Sequence, residues 1–192
     1  MRRTALFALL ALGVPPATAD EAADLAARAR EIIDAYSGRL QSALASALAE
    51  GGPARAISVC RTAAQQISAD LSQDGWIVRR TSLRVRNPVN APDDFEERVL
   101  RDFERRHAEG VPVEKLGYYQ LRAAGEEHEF RYVKAIETRE MCLACHGSQL
   151  APEVVKALDR EYPADTARGF SAGDIRGAFT LTRRFTRPMA EY

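Results

Sequence analysis

The chain has 192 residues, enough for one domain with a real core, and its 27 basic side chains are matched by 27 acidic ones. That balance, with basic residues scattered apart from one arginine cluster, gives no reason to propose nucleic acid or an anionic membrane as partner.

The N-terminus reads Met1-Arg2-Arg3, an apolar run from Ala5 to Val14, then Pro15-Pro16-Ala17-Thr18-Ala19. A charged start, a short apolar stretch and an A-x-A site are the parts of a secretory leader, so residues 1–19 are expected to be a signal peptide cleaved after Ala19. The apolar run is short for a membrane span; an uncleaved anchor is the alternative. No second long apolar stretch follows. Residues 20–192 are therefore expected to form a single domain that does not span the membrane, located in the periplasm.

From Asp20 to Ala49, Leu25, Ile32, Ile33, Tyr36, Leu40, Leu44 and Leu48 recur at helical spacing and predict a long amphipathic helix. Gly51-Gly52 end it, and Pro53 opens a second helix running to about Leu71. Its stripe of Ala56, Cys60, Ala64, Ile67 and Leu71 turns Cys60 inward. Asp74-Gly75 marks a turn. Trp76 to Val85 reads as a strand, with Ile77, Thr81, Leu83 and Val85 on one face and Arg80, Arg84 and Arg86 on the other. The segment Asn87 to Pro92 is extended loop, because each proline disfavours helix in its predecessor. Asp93 and Glu96 form a capping box for a third helix bearing Phe95, Val99, Phe103 and His107. Gly110 and Pro112 stop it. Tyr118–Ala123 and Glu129–Ile136 predict a hairpin about Ala124-Gly125-Glu126. A short helix from Pro152 to about Tyr162 carries Val154, Val155 and Leu158. A last strand, Gly173 to Arg183, places Ile175, Phe179 and Leu181 on one side. This order predicts an α+β domain with an antiparallel sheet packed by helices.

Between the hairpin and the short helix stands Cys142-Leu143-Ala144-Cys145-His146, a C-x-x-C-H pentapeptide. Two thiols at this spacing can add across the vinyl groups of one haem, and the adjacent imidazole can then bind the iron. One covalent haem c is the expected cofactor, with His146 as proximal ligand. Attachment of such haem takes place outside the cytoplasm, in agreement with the leader. A zinc site using Cys60, Cys142, Cys145 and His146 is the remote alternative.

The sixth iron position has several candidates. Cys60 is the one of the chain's three cysteines outside the motif, and in an oxidising compartment a leftover thiol is either buried and inert or bound to something. His107 ends an apolar stripe, though a histidine in the last turn of a helix also suits the helix dipole. His128, in Glu126-Glu127-His128-Glu129, reads as solvated. Met189 lies near the C-terminus. Arg80 and Arg84, with Arg79 and Arg86 beside them, are candidates to pair with the haem propionates; the alternative is a solvated strand face. Tyr118, Tyr119, Phe130 and Tyr132 are either pocket walls or plain core.

Four blocks together resemble one family: Ala56-Ile57-Ser58-Val59-Cys60; Arg80-Thr81-Ser82 through Asn87-Pro88-Val89-Asn90-Ala91-Pro92-Asp93; Cys142 to Gly147; and Gly173-Asp174-Ile175-Arg176-Gly177-Ala178. The resemblance is to the PAS-like monohaem c domains, found as lone exported proteins and as sensory parts of membrane signalling proteins. It implies a PAS-like antiparallel sheet flanked by helices and a His/Cys axial pair, His146 proximal and Cys60 distal. It also implies a role in electron transfer or in redox or gas sensing rather than catalysis. No transmembrane segment or kinase follows the last strand, so signalling is expected to need a redox partner protein or a membrane sensor. The alternative from another class is a haem peroxidase or nitrogen-oxide-handling enzyme with an open distal site near His107.

Overall fold

The computed structural model describes residues 19–124 and 127–186. The expected leader (Ala19 apart), the Gly125-Glu126 hairpin tip and Met189 lie outside the described residues. In chain order the elements are α1 (Ala19–Leu71), β1 (Trp76–Thr81), α2 (Asp94–Ala108), β2 (Gly117–Ala124), β3 (Glu127–Glu137), α3 (Leu143–His146), α4 (Pro152–Glu161) and β4 (Ile175–Thr186). The strands form a four-stranded sheet in the order β1-β4-β3-β2, with every neighbouring pair antiparallel. The architecture is α+β, with a long N-terminal helix and flanking helices, as the periodicities predict.

Helix α1 breaks where its glycines fall. Gly51 is extended and Gly52 has φ 68°, outside helical geometry, with Pro53 restarting the helix. The chain doubles back there: the Tyr36 hydroxyl donates to the Ala64 carbonyl at 2.9 Å, and Arg39 pairs with Asp70. The first half lays Leu25, Ile32, Ile33 and Tyr36 on one sheet face, against Trp76, Val78, Phe130, Tyr132, Phe179 and Leu181. Removal of this apolar surface from water is the main force holding α1 to the sheet.

The opposite face is covered by α2. Val99, Leu100 and Phe103 pack on Val133, Ala135 and Ala178, joined by Val113 and Leu116. Asp93 caps α2 in a reciprocal box with Glu96. The buried Glu96 carboxylate also accepts from Thr180 at 2.8 Å and pairs with Arg131 at 3.1 Å.

Three strand readings need correction. Ile77 is 47% exposed, and the buried face of β1 is the one carrying Trp76 and Val78, beneath α1. Strand β1 stops at Thr81 rather than Val85, because the Ser82 hydroxyl captures the Arg84 N–H at 3.1 Å and draws the backbone out of the ladder. Ile175 does not share a side with Phe179 and Leu181. A register shift sets Gly177 opposite Ile136 but Ile175 opposite Glu137, so Arg176 is an extra residue in β4 and Ile175 packs on the α2 cluster. Gly177 permits this: its φ is 155°, and a Cβ there would lie 2.4 Å from the Thr81 carbonyl oxygen.

Candidate functional site around Cys142, Cys145 and His146

Cys142 ends a 3-10 turn, Glu140–Cys142, that runs straight into the single helical turn α3. Continuous helical winding puts positions i, i+3 and i+4 on one face, so Cys142, Cys145 and His146 project together. Gly147 closes the turn because a Cβ there would meet the Leu143 carbonyl oxygen at 2.7 Å.

A loop after α4 holds this turn from the side. Phe170 N–H donates to the His146 carbonyl and Gly169 N–H to the Gly147 carbonyl, each at 2.9 Å. Thr166 N–H reaches the Val85 carbonyl at 2.9 Å, tying in the segment after β1. Arg86 binds all three pieces together. Its Nη2 donates to the Cys145 carbonyl at 2.6 Å and to the Ala167 carbonyl at 3.1 Å, while its Nε pairs with Asp165 at 3.2 Å. The Asp165 side chain is wholly inaccessible and also accepts from Arg168 at 2.9 Å and from Ala167 N–H at 2.9 Å. Burial alone would raise its carboxyl pKa, but these hydrogen bonds and the Arg86 charge outweigh that and hold it below the ordinary value.

The His146 ring is oriented for one nitrogen to bind something. Nδ1 lies 2.8 Å from the Ala167 carbonyl oxygen, which can only accept, so Nδ1 carries the proton. Arg176 Nε is 3.1 Å from Nδ1 and 3.4 Å from Nε2. No in-plane position lies that near to both nitrogens without striking a ring carbon, so this guanidinium sits over the ring face. Nε2 therefore keeps its lone pair, with Arg86 Nη1 also 3.4 Å from it. An N–H fixed by a backbone carbonyl and an unprotonated opposite nitrogen is the arrangement of a metal-binding histidine. Burial, then the charges of Arg176 and Arg86, push the imidazole pKa down to about 2. The ring stays neutral, the form a metal requires.

Cys60 comes to this place from the second half of α1. It lies within electrostatic reach of Cys145, Arg80 and Arg86, and Tyr162 is close enough to feel its charge. Cys145 packs on the cluster that contains Ile57, one turn before Cys60. Burial raises the Cys60 thiol pKa, partly offset by Arg80 and Arg86. Cys60, Cys142, Cys145 and His146 are all half-buried, neither sealed in the core nor displayed on the outside.

The arginines divide differently from the sequence expectation. Arg80 stacks over Tyr36 at 5.5 Å, and Arg84 lies over Phe170 at 3.9 Å. Both are close enough to depress the pKa of Arg176. Arg79 is turned away and bonds the Val89 carbonyl. Arg176, Asp165 and Phe170 are the residues that sequence reasoning missed. Phe170 meets the His146 ring edge-on at 6.2 Å. An Arg-Gly pair inside a strand pattern is the signal for a bulge and marks Arg176; nothing in the pattern marks Asp165 or Phe170.

His107 Nδ1 faces the Val111 carbonyl oxygen at 3.2 Å, and the ring lines a cavity of about 190 Å³ with Glu104, Asp174, Arg84 and Phe170. His128, expected to be solvated, is buried and stacked on Phe185 at 5.6 Å because its strand position faces inward. Phe130 and Tyr132 are core, while Tyr118 and Tyr119 stand exposed on the edge strand β2, so none of the four walls this site. Among the described residues no three His, Cys, Asp or Glu side chains converge as a metal-holding group, which leaves the four-ligand zinc alternative without support.

The model of the Tll0287-like family matches residues 16–183 of the chain. The chain belongs to the Tll0287-like family. Among solved structures it is similar to the one described as the crystal structure of the cyanobacterial heme-protein Tll0287, with a TM-score of 0.61 and 23% identity. That match covers 91% of this chain and 100% of the other, so the Tll0287-like fold extends over nearly all of it. No curated protein matches the chain. No helix among the described residues of this Tll0287-like chain is long and apolar enough to cross a membrane.

Proposed function

We propose that this protein is an exported c-type haem protein, working in the periplasm in electron transfer or in redox or gas sensing. Cys142 and Cys145 hold one haem covalently, His146 is the proximal ligand through Nε2, and Cys60 is the distal ligand. The observation that carries this reading is that Cys60, 85 residues earlier in the chain, lies within electrostatic reach of Cys145, one turn after Ile57 of the cluster on which Cys145 packs. A solved relative of the same fold is a heme-protein, which supports the cofactor. The PAS-like reading of the fold goes with it, supported by the antiparallel sheet carrying helices on both faces.

The residues present suit such a group. Bound there, haem supplies an iron that changes oxidation state. The chain's own residues fix and tune the site. Ala167 holds the His146 tautomer, and Arg86 with Asp165 pins the Cys145 backbone. Burial around Cys60 raises its thiol pKa, and a bound cation would reverse that preference in favour of the thiolate. A thiolate ligand favours the ferric state. This reading makes no use of His107, whose Nδ1 faces the Val111 carbonyl.

Absorption and electron paramagnetic resonance spectra of wild type beside Cys60→Ala test it. Loss of a low-spin thiolate signature, with covalent haem retained, is the expected result. Identical spectra for the two proteins would remove Cys60 from the iron.

A further inference from the structure

Among the described residues Arg176 is a cation without a counter-charge in contact. Its recorded polar contacts are the Ser82 hydroxyl at 3.3 Å, the Arg84 carbonyl at 3.3 Å and the His146 ring. These orient the guanidinium but do not neutralise it. Among the described residues no carboxylate forms an ion pair with Arg176. Asp165, whose charge reaches it, is already committed to Arg86, Arg168 and the Ala167 N–H. Around Arg176 stand Arg80, Arg84 and Arg86, three further cations within electrostatic reach of it. Uncompensated charge deep in a fold is costly, and native structures satisfy it with a partner.

The fold takes trouble to place this cation. Arg176 is the extra residue of the β4 bulge, and that bulge exists only because Gly177 tolerates both its φ and the Thr81 carbonyl. Bulges commonly re-aim one side chain toward a functional site. Here the re-aimed side chain lies over the His146 ring and 5.2 Å from the centre of Phe170. It is nevertheless half-buried, so a ligand in the site can reach it.

We propose that Arg176 is the carboxylate-binding residue of this site and receives a carboxylate of the bound porphyrin. This rests on the haem reading above and alters the sequence expectation, which gave that task to Arg80 and Arg84. A guanidinium presents paired N–H donors that match a carboxylate, and a lysine there offers only a point charge. Arg176 is a positioning residue: it fixes the porphyrin's tilt and touches no reacting atom.

The test uses the holoprotein: wild type, Arg176→Gln, Arg176→Lys and, as control, Arg79→Gln. The first readout is covalent haem content, and the second is the midpoint potential across mildly acidic to mildly alkaline pH. In wild type and the Arg79 control the potential is expected to stay flat on the acid side. In Arg176→Gln it shifts downward, as a nearby positive charge is lost, and it gains an acid-side slope as the released carboxylate takes up a proton. Arg176→Lys shows a smaller slope. A third readout needs no variant. With the haem carboxylates isotope-labelled, infrared spectra of wild type are expected to keep at least one carboxylate ionised through mild acid. Superimposable potential profiles for haem-loaded wild type and Arg176→Gln overturn this inference alone, as does protonation of both labelled carboxylates in mild acid. A wild type that carries no haem overturns the functional reading, and this inference with it.

Discussion

Asp165 holds two guanidiniums and an N–H with a side chain that solvent does not reach, so its removal leaves Arg86 with no carboxylate in contact. Breaking a buried pair from one side costs about 3–5 kcal/mol, and the partial exposure of Arg168 argues for the lower figure. Asp165→Asn is therefore expected to lower unfolding stability by about 3 kcal/mol, read from urea denaturation. The pH dependence has a definite sign. The folded Asp165 pKa lies below the ordinary value, so the unfolded chain binds the proton first as pH falls. The stabilisation is complete above about pH 4 and is lost as pH drops through the lowered folded value. Wild type is expected to lose stability on that acid limb, and Asp165→Asn to show a shallower one. Equal limbs in the two proteins would contradict the electrostatic account of this carboxylate.

Two glycines with positive φ separate backbone strain from collision at the level of elements. Gly52, at φ 68° in the α1 break, has open space where a Cβ would go. Gly177, at φ 155° in β4, has the Thr81 carbonyl oxygen 2.4 Å from that position. Gly52→Ala is expected to cost about 2 kcal/mol, the backbone penalty alone of a φ 68°, ψ −165° conformation that is essentially reserved for glycine. Gly177→Ala is expected to cost about 3 kcal/mol, because backbone faces backbone and β1 must part from β4. Denaturation midpoints of the two variants check the order, and a milder Gly177 variant would contradict it. The same contrast explains which elements were legible in the sequence. Gly51-Gly52-Pro53 spells out a helix break, and Asp93 with Glu96 spells out a cap, because both devices act through neighbours in the chain. The end of β1 and the β4 bulge act through Ser82 and Arg176, residues 94 apart, and no local period records such a contact.

Across the whole molecule, the four-stranded sheet joins two covered faces, and the candidate site lies where α1, the segment after β1, α3 and the loop before β4 meet. The C-x-x-C-H motif, Cys60 and the arginines after β1 could be named from the sequence because each is a residue type with few bland uses. Their shared support could not. Ala167 enters through its backbone, Asp165 through burial, and Arg176 through a bulge, and these are properties of the fold alone. The central claim is that a haem is joined by thioether bonds to Cys142 and Cys145. Intact mass of the purified, matured protein, measured before and after extraction with acidified acetone, tests it most directly. The account predicts a polypeptide heavier by one haem that keeps its colour and mass through extraction, with the added mass lost in Cys142→Ala/Cys145→Ala. A colourless protein of unmodified mass, or one that gives up its pigment to the solvent, would contradict it.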